Sequence, residues 1–136
     1  MSRKYITGIC SVLLILVMSV LSGSLTAQAQ GGVLDGKTFA GEMGESSKDK
    51  GDKDELTFKD GKFSSAACEK YGFGDAPYTA AVSGDTTTFE TETVSAKEGK
   101  MKWTGTVTGD KLEGTATWYK DGQAPVEYWF KTQLKQ

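Results

Sequence analysis

The sequence predicts an all-β protein, an eight-stranded antiparallel up-and-down (meander) β-barrel preceded by a cleavable signal peptide, and three observations carry that expectation. Eight segments after Gly36 alternate apolar and polar residues with a period of two, the mark of half-buried strands. Asp/Gly pairs recur at Asp35-Gly36, Asp60-Gly61, Gly84-Asp85 and Gly109-Asp110, suited to tight turns because glycine takes positive φ and aspartate tolerates it. No connection is long enough for the crossover helix that parallel strands need, and closing the sheet removes its exposed edges.

The leader comes first. Arg3 and Lys4 precede an apolar run from Ile6 to about Leu21, followed by the small-residue site Ala27-Gln28-Ala29. Residues 1–29 therefore read as a secretory signal peptide and 30–136 as a single barrel domain, destined for the periplasm or the outside of the cell. The alternative, an uncleaved anchor, is disfavoured because the run is shorter than the roughly 20 residues that span a bilayer and is interrupted by Gly8, Ser11 and Ser19. Cys10 lies inside the run and not at a lipoprotein-type position. No stable membrane insertion is expected once the leader is removed.

Losing Arg3 and Lys4 takes the net charge from -2 to -4. With no basic stripe to neutralise phosphates, nucleic acid is not an expected partner. Cys68 is then the single cysteine, so no internal disulfide can form and the core must suffice unaided. Ordering the backbone costs about 1 to 2 kcal/mol per residue, against about 1.5 to 3 kcal/mol gained per fully buried large apolar side chain. A large empty interior is not expected on that balance.

Each strand has its own signature. The first, Lys37 to Met43, places Phe39, Gly41 and Met43 on one side; the second, Glu55 to Lys59, offers Leu56 and Phe58. Asp60-Gly61 sets Phe58 opposite Phe63, and the third strand is expected to continue through Ser65 and Ala67. Pro77 opens a fourth with Tyr78, Ala80 and Val82 inward. The fifth, Thr87 to Val94, has Phe89, Thr91 and Thr93 inward, while Glu90 and Glu92 face Lys102 and Lys100 or Thr104. The sixth, Lys100 to Thr108, directs Met101, Trp103, Gly105 and Val107 inward; the seventh, Lys111 to Trp118, directs Leu112, Gly114, Ala116 and Trp118. With Gly109-Asp110 as the turn, Val107 meets Leu112, Gly105 meets Gly114, Trp103 meets Ala116 and Met101 meets Trp118. The facing glycines leave room for a ring from across the interior. A slip of one residue would turn both Trp side chains to water, so this register is firm. The eighth strand, Val126 to Leu134, carries Val126, Tyr128, Phe130 and Leu134 inward and Trp129 outward.

Tight turns gather at one end. The longer connections, Gly44 to Asp54, Cys68 to Pro77, Ser95 to Gly99 and Lys120 to Pro125, collect at the other, where the mouth of a barrel is a usual binding place. Phe58, Phe63, Val82, Phe89, Val107, Leu112 and Phe130 are expected to plug the tight-turn end. Met43, Ser65, Tyr78, Thr91, Thr93, Met101, Trp103, Trp118 and Tyr128 are expected near the open end, as the lining of a pocket for a small, mostly apolar ligand or simply as the upper core.

The absence of histidine removes the commonest general base and most transition-metal sites. No enzyme, metal or cofactor is expected. Cys68 has only Lys70 nearby to lower its pKa, with Glu69 opposing, and reads as a buried thiol. The loop Lys48 to Glu55 holds four carboxylates without the spacing of an EF-hand and reads as solvated. Between Cys68 and Pro77, Tyr71 and Phe73 stand among glycines. They are read as a lid, as an aromatic anchor for a protein partner, or as part of a short helical turn sealing the barrel end.

Over Lys37 to Leu134, and best from Trp103 to Trp118, the chain resembles the calycin superfamily of lipocalin-like and avidin-like meander barrels. Gly36-Lys37-Thr38-Phe39 stands where many lipocalins carry Gly-x-Trp, with Phe in place of Trp. The resemblance implies small-molecule binding in the barrel. The alternative function is that of an exported protein-binding module, such as a hydrolase inhibitor, acting through the rim around Tyr71 and Phe73.

Overall fold

The computed structural model describes residues 32–135. The signal peptide and its cleavage site lie outside the described residues. Eight strands, β1 (Lys37–Glu45), β2 (Asp52–Lys59), β3 (Lys62–Ser65), β4 (Ala76–Ser83), β5 (Thr86–Ser95), β6 (Gly99–Thr108), β7 (Lys111–Tyr119) and β8 (Val126–Leu134), form a closed antiparallel barrel in chain order. β1 closes on β8 from Phe39 opposite Leu134 to Glu45 opposite Tyr128. A single helical turn, α1 (Ala66–Glu69), follows β3.

The β6–β7 hairpin has the register its alternation demands, with Val107 opposite Leu112, Gly105 opposite Gly114, Trp103 opposite Ala116 and Met101 opposite Trp118. On its outer face Glu92 pairs with Lys102, and Glu90 with Thr104. The glycine pair is a socket: a Cβ on Gly105 would lie 2.6 Å from the Phe89 ring and 2.9 Å from Phe130, and one on Gly114 would lie 2.7 Å from Phe130. Around that socket the interior is a stack of rings. Phe58 lies 5.0 Å from Phe89, Phe63 4.8 Å from Trp103, and Trp103 5.6 Å from Phe130, centroid to centroid. The lower and middle barrel is therefore filled.

Two expectations are corrected at the β2–β3–β4 seam. The third strand does not run on to Ala67; it stops at Ser65, and the chain turns into α1. The cause is Asp54, which is not solvated but only 5% exposed. Its carboxylate accepts hydrogen bonds from the Ser65 hydroxyl at 2.7 Å, the Ala67 N–H at 2.9 Å and the Glu55 N–H at 2.7 Å, drawing the backbone out of the ladder. β3 and β4 consequently share only the pairs Lys62–Pro77 and Phe63–Ala76.

Because Ala76 already stands beside Phe63, β4 is staggered toward the tight-turn end, as barrel closure demands of its strands. Tyr78 is accordingly at the closed end and not near the mouth. Its hydroxyl donates to Asp35 Oδ1 at 2.8 Å and accepts the Leu34 N–H at 3.0 Å. Asp35 also takes the Gly61 N–H at 3.0 Å, and Leu34 is buried, so the segment before β1 seals the bottom. The same stagger carries Val82 past the end of the core. It is 43% exposed instead of plugging the interior.

Replacing Gly105 with Ala is expected to lower stability by about 1 to 3 kcal/mol through overpacking against Phe89 and Phe130, read as a lower urea midpoint with unchanged slope. The Tyr78 phenol is pushed up to about 12, chiefly by burial and next by its bond to the Asp35 carboxylate. The folded state thus favours the neutral phenol. Its contribution is complete below the unfolded phenol pKa of about 10 and is lost as pH rises through the folded value. Urea midpoints from neutral to strongly alkaline pH should fall more gently for Tyr78→Phe than for the unsubstituted protein, with Tyr78→Phe less stable by about 1 to 3 kcal/mol at neutral pH.

Candidate functional site

The loops at the open end surround a cleft of about 820 Å³. Strand residues build one wall: Met43 from β1, Met101 from β6, Trp118 from β7 and Tyr128 from β8. The segment from Ala66 through Phe73 builds the other. Alternation along each strand delivers those four side chains to the interior, and Trp118 is fixed further by donating its indole N–H to the Glu98 carbonyl at 2.6 Å. Lys120 bonds the Glu98 carboxylate at 3.0 Å, tying the β5–β6 connection to the end of β7.

Of the nine residues expected to line a pocket, Met43, Met101, Trp118 and Tyr128 do so. The other five are elsewhere, and in each case a hydrogen bond or packing explains the position. Ser65 is committed to Asp54; Thr91 donates to the Pro77 carbonyl at 2.8 Å; Thr93 accepts the Trp103 indole N–H at 3.2 Å. Trp103 itself is 1% exposed, one inward position below Met101 on β6, and Tyr78 is at the opposite end.

The loop of Tyr71 and Phe73 follows the single turn of α1, and its two aromatics part company. Phe73 is 6% exposed and packs into the core, whereas Tyr71 is 53% exposed. Gly72, at φ 87°, makes the reversal between them. The Tyr71 carbonyl accepts the Ser95 hydroxyl at 2.8 Å, and the Gly74 N–H reaches the Val94 carbonyl at 3.4 Å, so the loop covers the stretch of β5 that β4 leaves unpaired.

Cys68 is buried at the inner edge of the cleft, with its Sγ 3.8 Å from Met101 Sδ. Burial pushes its thiol up to about 11, a shift that the Ser65 hydroxyl only partly offsets, so it is protonated at neutral pH and is a poor nucleophile. The Asp54 carboxyl is raised by burial, with the Ala67, Ser65 and Glu55 hydrogen bonds pulling the other way. The Tyr128 phenol is raised by burial and then by the nearby Glu45. Among the described residues no group of three or more His, Cys, Asp or Glu is placed to hold a metal ion.

No family model, curated protein or solved structure matches the chain. The functional reading rests on the geometry of the open end. Sequence reasoning missed Asp54 and the lysines of the rim, which a reading of the Lys48 to Glu55 stretch as uniformly solvated could not separate. Asp54, Leu56 and Phe58 fall on one face of β2 at a period of two, the buried one, and that period was the available signal.

The protected thiol gives a direct check. Labelling of Cys68 by a disulfide reagent at mildly alkaline pH should run roughly tenfold or more slower in the native protein than in urea, with Met101→Ala accelerating it by opening the packed side.

Proposed function

We propose that the protein is an exported, lipocalin-like binding protein that holds a small, mostly apolar ligand in the open end of its barrel. One observation carries this reading: an 820 Å³ cleft whose walls include Met43, Phe73, Met101, Trp118 and Tyr128, at the open end of a barrel whose interior is otherwise filled by packed rings. Its volume lies in the range of small-molecule sites, which run from about 300 to 1,000 Å³ and combine apolar walls with a few polar groups. Export is the part of the reading that the leader-like pattern of residues 1–29 supports, and the calycin-like pattern agrees with a ligand seated at the mouth.

The second reading, a protein-binding module working through the rim, needs an aromatic anchor. Tyr71 supplies one beside the exposed Val94, but Phe73 is turned inward and cannot serve with it.

Titrating intrinsic fluorescence with a panel of small apolar compounds tests the first reading. Binding should change the emission with unit stoichiometry, and Trp118→Phe should remove most of the change. Ala67→Trp, which fills the cleft from α1, should weaken binding by about tenfold or more, equivalent to 1.4 kcal/mol. Failure of every compound to bind below about 1 mM, a free energy near -4 kcal/mol, would refute it.

A further inference from the structure

We infer that the cleft selects compact monoanions, with an apolar body about the size of a single ring and its short chain, and a carboxylate head group held at a lysine rim. This inference rests on the ligand-binding reading above and specifies its ligand. Charge at the mouth is the first argument. Lys48 also lines the cleft but is paired with Glu45 at 3.6 Å, and the lining Glu98 is paired with Lys120 at 3.0 Å. Lys50, Lys53 and Lys70 line the cleft with no carboxylate within ion-pair distance among the described residues. Glu42 stands opposite Lys53 in the β1–β2 ladder, yet the two do not close into a pair. Asp52 is the one lining carboxylate outside those pairs. Among the lining residues lysines thus outnumber carboxylates, on a chain whose overall charge is negative, and a cleft with low-dielectric walls focuses that field on its contents.

Polar geometry is the second argument. The Tyr128 hydroxyl lines the cleft and has no hydrogen-bond partner among the described residues, leaving a donor for an acceptor head group. Lys70 is held on the rim by its position 5.2 Å over the Tyr71 ring. By contrast, the indole N–H of Trp118 is already spent on Glu98.

Depth sets the size. Below the lining Met101, the next inward position on β6 is Trp103, fully buried and packed on Phe63 and Phe130, so an extended alkyl chain cannot thread on into the barrel. What fits is a ring or short chain lying against Met101, Phe73 and Tyr128, with its charged end toward the lysines.

Calorimetric titration of the secreted protein with phenylbutyrate, phenylbutanol, phenylbutylammonium and palmitate tests this. The carboxylate is expected to bind about fivefold or more tighter than the alcohol, the ammonium weakest, and added salt should weaken only the charged comparison. The triple substitution Lys50→Gln, Lys53→Gln, Lys70→Gln should bring the carboxylate down to the affinity of the alcohol while leaving the alcohol unchanged. Equal or tighter binding of the alcohol or ammonium, or an unaltered carboxylate affinity in the triple variant, overturns the charge selection and leaves the apolar site standing. Palmitate binding more tightly than phenylbutyrate overturns the size limit. No binding by any of the four, with the wider panel also silent, overturns both this inference and the ligand-binding reading beneath it.

Discussion

Gly105 and Gly114 face each other across the β6–β7 ladder, and the rings of Phe130 and Phe89 occupy the space that two side chains would otherwise take. Most of the architecture follows from that vacancy. Phe130 belongs to β8, the strand that closes the barrel on β1, so the socket couples closure to the centre of the core. Phe63, Trp103 and Phe89 then pack outward from it, each pair contributing about 0.5 to 1.5 kcal/mol beyond its buried area. With no disulfide among the described residues, a domain of this size must draw its stability from such packing. A hollow barrel is not open to this chain, and the cleft lined by Met101 and Trp118 lies at the open end, above the ring stack.

Asp54 performs the opposite operation. A buried carboxylate is costly unless it is satisfied, and here three donors satisfy it, two of them from the residues at which β3 ends and α1 begins. The gain from those bonds competes with continuing the β3 ladder toward β4. The outcome is a seam with two ladder pairs in place of a full strand interface, covered by α1 and the loop through Phe73. The polar interior residue therefore shapes one wall of the cleft without lining it.

This pairing of rules explains what was legible in the residues. The β6–β7 register could be read directly, because two large rings and two glycines allow only one alternation that buries the former and uses the latter. Strand number, direction and closure were equally readable from Asp/Gly turns at every second connection. The height of each strand around the wall was not. Stagger between neighbours arises from tilt and closure of the whole sheet, so nothing local to Tyr78 or Val82 announces that β4 sits low. The pocket residues divide along the same line: Met101 and Trp118, on the hairpin of firm register, are where alternation put them, while Tyr78 is displaced by stagger. Phe73 and Tyr71 are two residues apart in a loop, and only the turn at Gly72 decides which of them is buried.

The cleft is asymmetric in a way that bears on binding. Met43, Met101, Trp118 and Tyr128 project from strands with continuous ladders on both sides, a wall with little freedom to move. The facing wall is the seam cover, anchored by Phe73, the Asp54 bonds and two contacts to β5. Regions with few backbone pairings open at lower free energy than a core ladder does. On the proposed binding reading, a guest touching both walls would hold the cover in place by mass action, with the cost of ordering the cover subtracted from its affinity. Tight packing below and a thinly tied cover above are thus two sides of one arrangement: the aromatic stack supplies the stability that lets the seam give way to a cleft.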